Sequence, residues 1–500
     1  MSLSNSIGEP DGARPTQGAR AVRPYLSGRL GHGFNETLLT QVGLLALGAL
    51  TGTAAARLLG PRGRGELAAI ILWPSMLVTM ASMGMNQAIV FHTGKRRFGF
   101  SEVWTASTVL GLLQSLVVLV VGLVVVPLAL RTYSPQVRHL AQVFVCCTPA
   151  LLLAGYPGSL LQGKLDLVSF NAIRLIAPVI YALGLVSLLL MRRPSLSSVL
   201  GFLILGVALA VAGGYGILFS KERPRFILKA AVVKSMLSYG WKTQLATVSS
   251  YINQRVDQLI LSIFVAPQQL GLYVVAVTVS TSLGFLPQAS AIVTLASGSN
   301  LPPERARPVI ASAFRSSLLW LFCSASALFA VAPWLITFVF GMRFADSTLA
   351  CRILLPGTIA LGLNQVLYDG ARALNEPALP SYAEGLATVL TCVGLALLLP
   401  RYGFLGAAIA STVAYSASLT IMLALYRWRL GIGLAELLAL TPARPESGLS
   451  STRSLSLKVL SPFRGVRQGS RAGESPLDSS ALSEGRGYPR YEGGGPERRG

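Results

Sequence analysis

Leu59-Gly60-Pro61-Arg62-Gly63-Arg64-Gly65-Glu66-Leu67 and Val265-Ala266-Pro267-Gln268-Gln269-Leu270-Gly271-Leu272-Tyr273 lie 206 residues apart, each with a Pro four positions ahead of a Gly. Each stretch joins two apolar runs, at the turn from one helix into the next. A second pair recurs at an offset of 207: Pro149-Ala150-Leu151 with Gln162-Gly163, and Pro356-Gly357-Thr358 with Asp369-Gly370. One such pair is a weak signal in a chain with 50 Gly and 28 Pro. Two pairs at nearly one offset describe an internal repeat, so the chain reads as two halves of one pattern.

What repeats is membrane-spanning helix. The 500 residues are 52% hydrophobic and 12% charged, with a mean hydropathy of +0.59. A soluble domain carries about 25% charged residues. Apolar runs near the ~20 residues needed to cross a hydrocarbon core occupy 36–56, 67–91, 104–130, 140–161, 172–191, 198–219, 243–265, 271–295, 310–340, 349–371, 379–399 and 404–426. The repeat offset assigns six spans to each half. An even number returns the chain to its starting side, so the halves share one orientation about an axis along the membrane normal. Parallel repeats of this kind build transporters that bind solute near the midplane. The expected fold is an all-α polytopic membrane protein, with about twelve transmembrane helices in two six-helix lobes around a central cavity.

The expected domains follow from composition. Residues 1–35 are polar and rich in Gly, Pro and Arg, without the apolar core of a signal peptide; they read as a disordered cytoplasmic segment. Residues 36–220 form the N-lobe, 221–242 a basic cytoplasmic linker with a short interfacial helix over 226–238, and 243–430 the C-lobe. Residues 431–500 turn to Ser, Gly, Pro, Arg and Glu and read as a disordered cytoplasmic tail. The formal net charge of +22 suggests nucleic acid, but its distribution does not. Lys95-Arg96-Arg97, the cluster Lys221 to Lys234, and Arg305/Arg307 fall on one side, which the positive-inside bias makes cytoplasmic. Both termini are then cytoplasmic. Arg57, Arg62 and Arg64 break the pattern, because they sit at the opposite side.

Span seven carries the most unusual residues: Tyr251-Ile252-Asn253-Gln254-Arg255-Val256-Asp257-Gln258-Leu259-Ile260-Leu261. A charge at the bilayer centre costs about 2.5–3.5 kcal/mol on insertion scales, so Arg255 and Asp257 are candidate functional residues. On a helical wheel they lie about 160° apart, at the two edges of a polar arc that includes Asn253. They are therefore two separate sites and not one ion pair; packing between helices is the alternative for both. Asn86-Gln87 and Asn364-Gln365 are further cavity candidates, since amides facing lipid are costly. Arg57 sits at a span end, where snorkelling is the alternative. A cavity with Arg and amides but few acids suits an anionic headgroup such as a pyrophosphate, which the Arg fork matches.

Other chemistry is not visible. The five Cys lie within or beside apolar runs with no metal-ligand spacing, and His32, His92 and His139 are scattered. There is no Walker loop, nucleophile elbow or zinc-protease motif. Neither a catalytic residue, a metal nor a cofactor is expected, and the chain reads as a transporter and not an enzyme.

These residues resemble a family. Ala56-Arg57-Leu58-Leu59-Gly60-Pro61-Arg62-Gly63-Arg64-Gly65-Glu66-Leu67-Ala68 and Met83-Gly84-Met85-Asn86-Gln87-Ala88 are similar to the opening helices of bacterial polysaccharide (O-antigen type) flippases. Arg255-Val256-Asp257-Gln258-Leu259 with Leu270-Gly271-Leu272-Tyr273-Val274-Val275-Ala276 resembles that family's seventh and eighth helices. Tyr402-Gly403-Phe404-Leu405-Gly406-Ala407-Ala408-Ile409-Ala410-Ser411 resembles its closing helix. The resemblance covers 36–430 and implies the multidrug/oligosaccharidyl-lipid/polysaccharide exporter superfamily. It implies a multi-pass protein of the bacterial inner membrane that flips polyprenyl-pyrophosphate-linked oligosaccharide to the outer leaflet, for lipopolysaccharide or exopolysaccharide. The implied partners are that substrate, membrane lipids, a polysaccharide polymerase and glycosyltransferases, with no nucleic acid. By resemblance, Arg255 and Asp257 match the charged seventh helix and Arg57 the end of the first.

Two other functions compete. A drug or cation antiporter of the same superfamily needs acids dominating the cavity, and a scaffold for polysaccharide-assembly enzymes needs the tail. Deleting residues 441–500 separates transport from scaffolding. Surface-polysaccharide production in cells is expected to survive the deletion, and its loss would favour the non-transporting scaffold.

Overall fold

A computed structural model describes residues 17–192, 195–285, 287, 288, 290, 291, 294, 302–376 and 378–439. Those residues are helical throughout apart from short connections. α1 (Gln17–Ala81) is two helices that meet at Gly60, whose φ of 68° and ψ of −177° suit only glycine. Pro61 opens the second arm, where a missing N–H costs nothing. α2 (Met85–Lys95), α3 (Phe100–Ala129), α4 (Pro135–Cys146), α5 (Thr148–Leu153), α6 (Gly155–Gly163), α7 (Leu167–Leu190) and α8 (Leu196–Glu222) complete the first half. The second half holds α9 (Ala230–Phe264), α10 (Pro267–Thr281), α11 (Pro303–Phe340), α12 (Ser347–Ala373), α13 (Ala378–Leu425) and α14 (Leu434–Leu438).

α13 repeats the device of α1, with a break at Gly403 (φ 56°, ψ −136°). A Cβ on Gly406 would sit 2.3 Å from the Leu398 carbonyl oxygen, and one on Gly394 3.0 Å from Ala410 Cβ. The two arms therefore fold back against each other. Seven described helices are long and apolar enough to cross a membrane, and the pair Pro135–Cys146 and Thr148–Gly163, bent by 42°, is an eighth candidate. Two of the seven, those broken at Gly60 and Gly403, each hold two of the expected spans. α9, with Asn253, Gln254, Arg255, Asp257 and Gln258 in its course, is not among them. Apolar side chains face outward along α3, where Leu112, Leu113, Leu116, Val117, Val120 and Val124 are each more than half exposed. Such a stripe, on a helix long and apolar enough to cross a membrane, is the kind of surface that faces lipid.

Several expectations need adjusting. The span 67–91 is not continuous: Met83 (φ 46°) and Gly84 (φ 62°) are left-handed, and the helix stops at Ala81 and restarts at Met85. The span 140–161 is also broken, with Pro149 in the first turn after the bend. Helix α1 starts at Gln17, inside the segment expected to lack structure. Helix α9 starts at Ala230, so most of the expected linker belongs to span seven. The expected tail boundary at 430 falls early, because Leu437 of α14 is buried and Arg315 Nη1 donates to the Ala439 carbonyl at 2.5 Å. The span 271–295 is described only in part, and 440–500 lies outside the described residues.

The repeated Pro–Gly pairs meet each other. A Cβ on Gly65 would sit 1.7 Å from the Pro267 carbonyl oxygen, and one on Gly271 would sit 1.9 Å from the Pro61 carbonyl oxygen. Each half thus places its glycine against the other half's proline, backbone on backbone. Around this crossing one buried core joins Ala54–Ala56, Leu67 and Ile70 to Leu270–Ala276, Ala332, Ile336 and Leu354. Arg57 reinforces it: its Nε donates to the Val339 carbonyl at 2.8 Å and its Nη2 to that of Phe338, at the C-terminus of α11. Those carbonyls have no intrahelical partner, and a cation there complements the helix dipole.

Gly65→Ala and Gly271→Ala are each expected to lower thermal stability by about 1–3 kcal/mol or more, through forced overpacking. Gly48→Ala meets nothing within 4 Å and is expected to be neutral. Melting temperatures of the purified variants in detergent check both.

Candidate functional site

α9 sorts its polar residues by depth. Asn253, Asp257 and Gln258 are buried at 4%, 3% and 3% exposure, while Gln254 and Arg255 are exposed. The Arg255 and Asp257 side chains do not pair. Asp257 turns into the second half of the chain. Its Oδ2 accepts hydrogen bonds from the Tyr273 hydroxyl of α10 and, at 3.2 Å, from the Ser411 hydroxyl of α13. Its Oδ1 accepts the Gln258 backbone N–H at 2.7 Å. Tyr273 and Ser411 lie 3.3 Å apart, closing a cage around the carboxylate. Three hydrogen-bond donors hold this acid, with Arg255 within its field but not paired to it, and burial is tolerable only with such partners.

Arg255 is exposed where Asp257 is buried. Its Nη1 donates to Gln258 Oε1 at 3.2 Å, a neutral partner on the same helix. Arg64, on the second arm of α1, lies within its field and within that of Tyr181 of α7. Arg64 Nε is buried with no hydrogen-bond partner. Tyr251, one turn before Arg255, lies within its field. Arg62, two residues earlier, is tied instead to Glu66 at 3.1 Å. Two cations from opposite halves thus lie within each other's field, and neither forms an ion pair among the described residues, although Asp257 is also within the field of Arg255.

The remaining candidates are dispersed. Asn86 is exposed, and its Oδ1 accepts from the Ser159 hydroxyl at 3.1 Å; Gln87 beside it is also exposed. Asn364 is 1% exposed, and its Oδ1, like that of Asn253, has no partner. Gln365 is half-buried. Arg57 stands apart, capping α11. No group of three or more His, Cys, Asp or Glu suited to a metal ion occurs among the described residues.

Sequence reasoning missed Arg64, assigning it to a loop. The signal was present, because Arg57, Arg62 and Arg64 defied the positive-inside bias. A cation where orientation does not favour one is a cation with another use. Tyr273 and Ser411 were missed because nothing local marks a Tyr and a Ser, 138 positions apart in sequence, as partners of one carboxylate.

Similarities to known proteins agree with this picture. One curated relative is a probable low-salt glycan biosynthesis flippase, Agl15, of Haloferax volcanii, 24% identical over 221 residues. That match covers 43% of this chain and 46% of the relative, so the chain spans about half the length of the curated relative it matches. Among solved structures, an inward-facing multidrug resistance transporter of the MATE family, in the MOP superfamily, superposes with a TM-score of 0.66 at 15% identity. It covers 78% of this chain and 94% of that one. The lipid II flippase MurJ in an inward closed conformation gives 0.65 at 14% identity, covering 80% and 88%. A MOP superfamily transporter from Pyrococcus furiosus gives 0.57 at 14%, covering 82% and 95%. At such identities these likenesses establish the fold alone. Residues 54–349 match the polysaccharide biosynthesis protein family, more than half of the chain. This multi-pass membrane protein, with the MOP transporter fold, belongs to the polysaccharide biosynthesis protein family.

Proposed function

We propose that the chain flips polyprenyl-pyrophosphate-linked oligosaccharide from the cytoplasmic to the outer leaflet of the cell membrane, without breaking a bond. The observation that carries this reading is that Arg64 and Arg255, one from each half, lie within each other's field, with the buried Arg64 Nε lacking a hydrogen-bond partner. A diphosphate brings charge and acceptor oxygens to two guanidinium forks. The names of Agl15 and MurJ, both flippases, support the substrate class. The polyprenyl tail stays in lipid while the headgroup passes between two lobes that open alternately to each side.

Asn253, Asn364, Gln365, Asn86 and Gln87 offer amides for sugar hydroxyls in this reading. Arg57 serves the closure between the halves. A drug or cation antiporter needs an acid facing the solute, whereas Asp257 is caged by Tyr273 and Ser411. That cage is the place for a coupling cation or proton, which would act on the helices that pack around it and not on the headgroup.

Headgroup flipping in proteoliposomes tests the reading. Arg64→Ala and Arg255→Ala are each expected to slow flipping about tenfold or more, since a charge-assisted hydrogen bond contributes about 1.5–3 kcal/mol. Rates equal to wild type in both variants would remove the anion site from the mechanism, and undiminished transport of a cationic dye would favour the antiporter. Tyr273→Phe takes one donor from Asp257. It is expected to cost about 1–3 kcal/mol of stability, read as a lower melting temperature.

A further inference from the structure

The break in the second span is filled by a side chain from the other half of the chain. In an unbroken helix the Gly84 N–H would bond to the Met80 carbonyl, and the Met83 N–H to the Thr79 carbonyl. Here the turn at 82–84 separates them, although Ser82 N–H still reaches the Val78 carbonyl at 2.9 Å. Gln244 of α9 stands in their place. Its Oε1 accepts the Gly84 N–H at 2.7 Å and the Ser82 hydroxyl at 3.3 Å. Its Nε2 donates to the Thr79 carbonyl at 2.5 Å and the Met80 carbonyl at 3.1 Å. The amide is 4% exposed and fully engaged.

Glycines make the approach possible. A Cβ on Gly84 would lie 2.3 Å from the Gly240 carbonyl oxygen, and one on Gly240 would lie 2.2 Å from the Met83 carbonyl oxygen. The same end of α9 is packed into the first half: Val232 and Met236 share a core with Met85, Ile89, Val103 and Leu160. If α9 withdraws, the Met80 carbonyl and the Gly84 N–H lose their partner inside the membrane, where orphaned backbone groups cost several kcal/mol, while the Thr79 carbonyl keeps only the Ser82 hydroxyl at 2.9 Å. The nearest remedy is for these groups to bond to one another. That closes the helix and relieves the left-handed backbone of Met83, itself unfavourable by about 1–2 kcal/mol.

We propose that Gln244 is the latch of a two-state gate at the Lys95 end of the molecule: inserted, it holds the second span broken and α9 docked; withdrawn, it lets residues 79–84 close into continuous helix as the halves part. The sequence-derived orientation makes this the cytoplasmic gate. α2 then changes direction with the gate, so opening and helix straightening are one event. This positioning role holds whatever solute is carried. Its test therefore reads conformation without substrate, and its failure would leave the proposed function standing.

The measurement is the spin-label distance between Arg97→Cys and Asn375→Cys, both exposed, in the full chain in nanodiscs with Cys146, Cys323 and Cys392 replaced by Ser. Gln244→Met keeps the bulk and removes the hydrogen bonds. It is expected to raise the ratio of long to short distances about tenfold or more, since it removes all four hydrogen bonds of the amide and about 1.4 kcal/mol already amounts to tenfold. Gly84→Ala acts on the same contact from the other side and is expected to shift the ratio in the same direction, and the pair to be non-additive. Gln244→Glu loses the donor when ionised and regains it when protonated, so acid should restore the short distance. Wild-type distance distributions in whichever of Gln244→Met and Gly84→Ala folds, or a Gln244→Glu response absent at low pH, would overturn the proposal.

Discussion

Everything in this fold is hung on one backbone contact. Gly65 lies against Pro267 and Gly271 against Pro61, so close that a single methyl group on either glycine has no place to go. In lipid the hydrophobic effect does not draw helices together, and small residues that let backbones touch take over that work. The contact brings the second arm of α1 against α10 and thereby fixes where the flanking residues point. Arg64, between Pro61 and Gly65 on that arm, is carried toward α9 and Arg255. Tyr273, two residues beyond Gly271, is carried toward Asp257. One crossing therefore positions both the cation pair and the caged acid.

The membrane sets the second constraint, because every backbone group away from water needs a partner. The chain breaks a span at Gly84 and ends α11 at Phe340, and at each place a long side chain from the opposite half answers the orphaned groups. Arg57 caps the last carbonyls of α11, and Gln244 fills the gap in the second span. Both are contacts between halves, one at each end of the molecule. Outside the spans, Lys164, Lys221 and Lys229 pair with Glu222, Asp166 and Glu102 at the Lys95 end. Such exposed pairs contribute little each, and Lys95, Arg96 and Arg97, outside them, are exposed to hold that face toward anionic lipid.

The helical membrane architecture was legible because hydropathy and span length are local properties of the sequence. The Pro–Gly repeat was legible as a pattern, but its meaning was not, since two stretches 206 residues apart give no sign that they touch. The wheel separated Arg255 from Asp257, because two residues on one helix have a fixed angle between them. It did not tell which of them was exposed, as that depends on what α10 and α13 present. The break at Met83-Gly84 was hidden for the same reason: Ala88-Ile89-Val90-Phe91 resumes the apolar run beyond it, and the side chain that stabilises the break belongs to residue 244. Arg64 was misplaced because Gly60, not the charged stretch, makes the turn, so the arginine enters the helix.

The central claim is that a diphosphate headgroup is held between Arg64 and Arg255. The most direct measurement is a structure of the full chain with a short polyprenyl-pyrophosphate-linked sugar bound. The account predicts phosphate density within hydrogen-bonding distance of both guanidiniums, with the Asp257 carboxylate still enclosed by Tyr273 and Ser411. A headgroup bound elsewhere, or a positively charged solute seated on an uncaged Asp257, would contradict it.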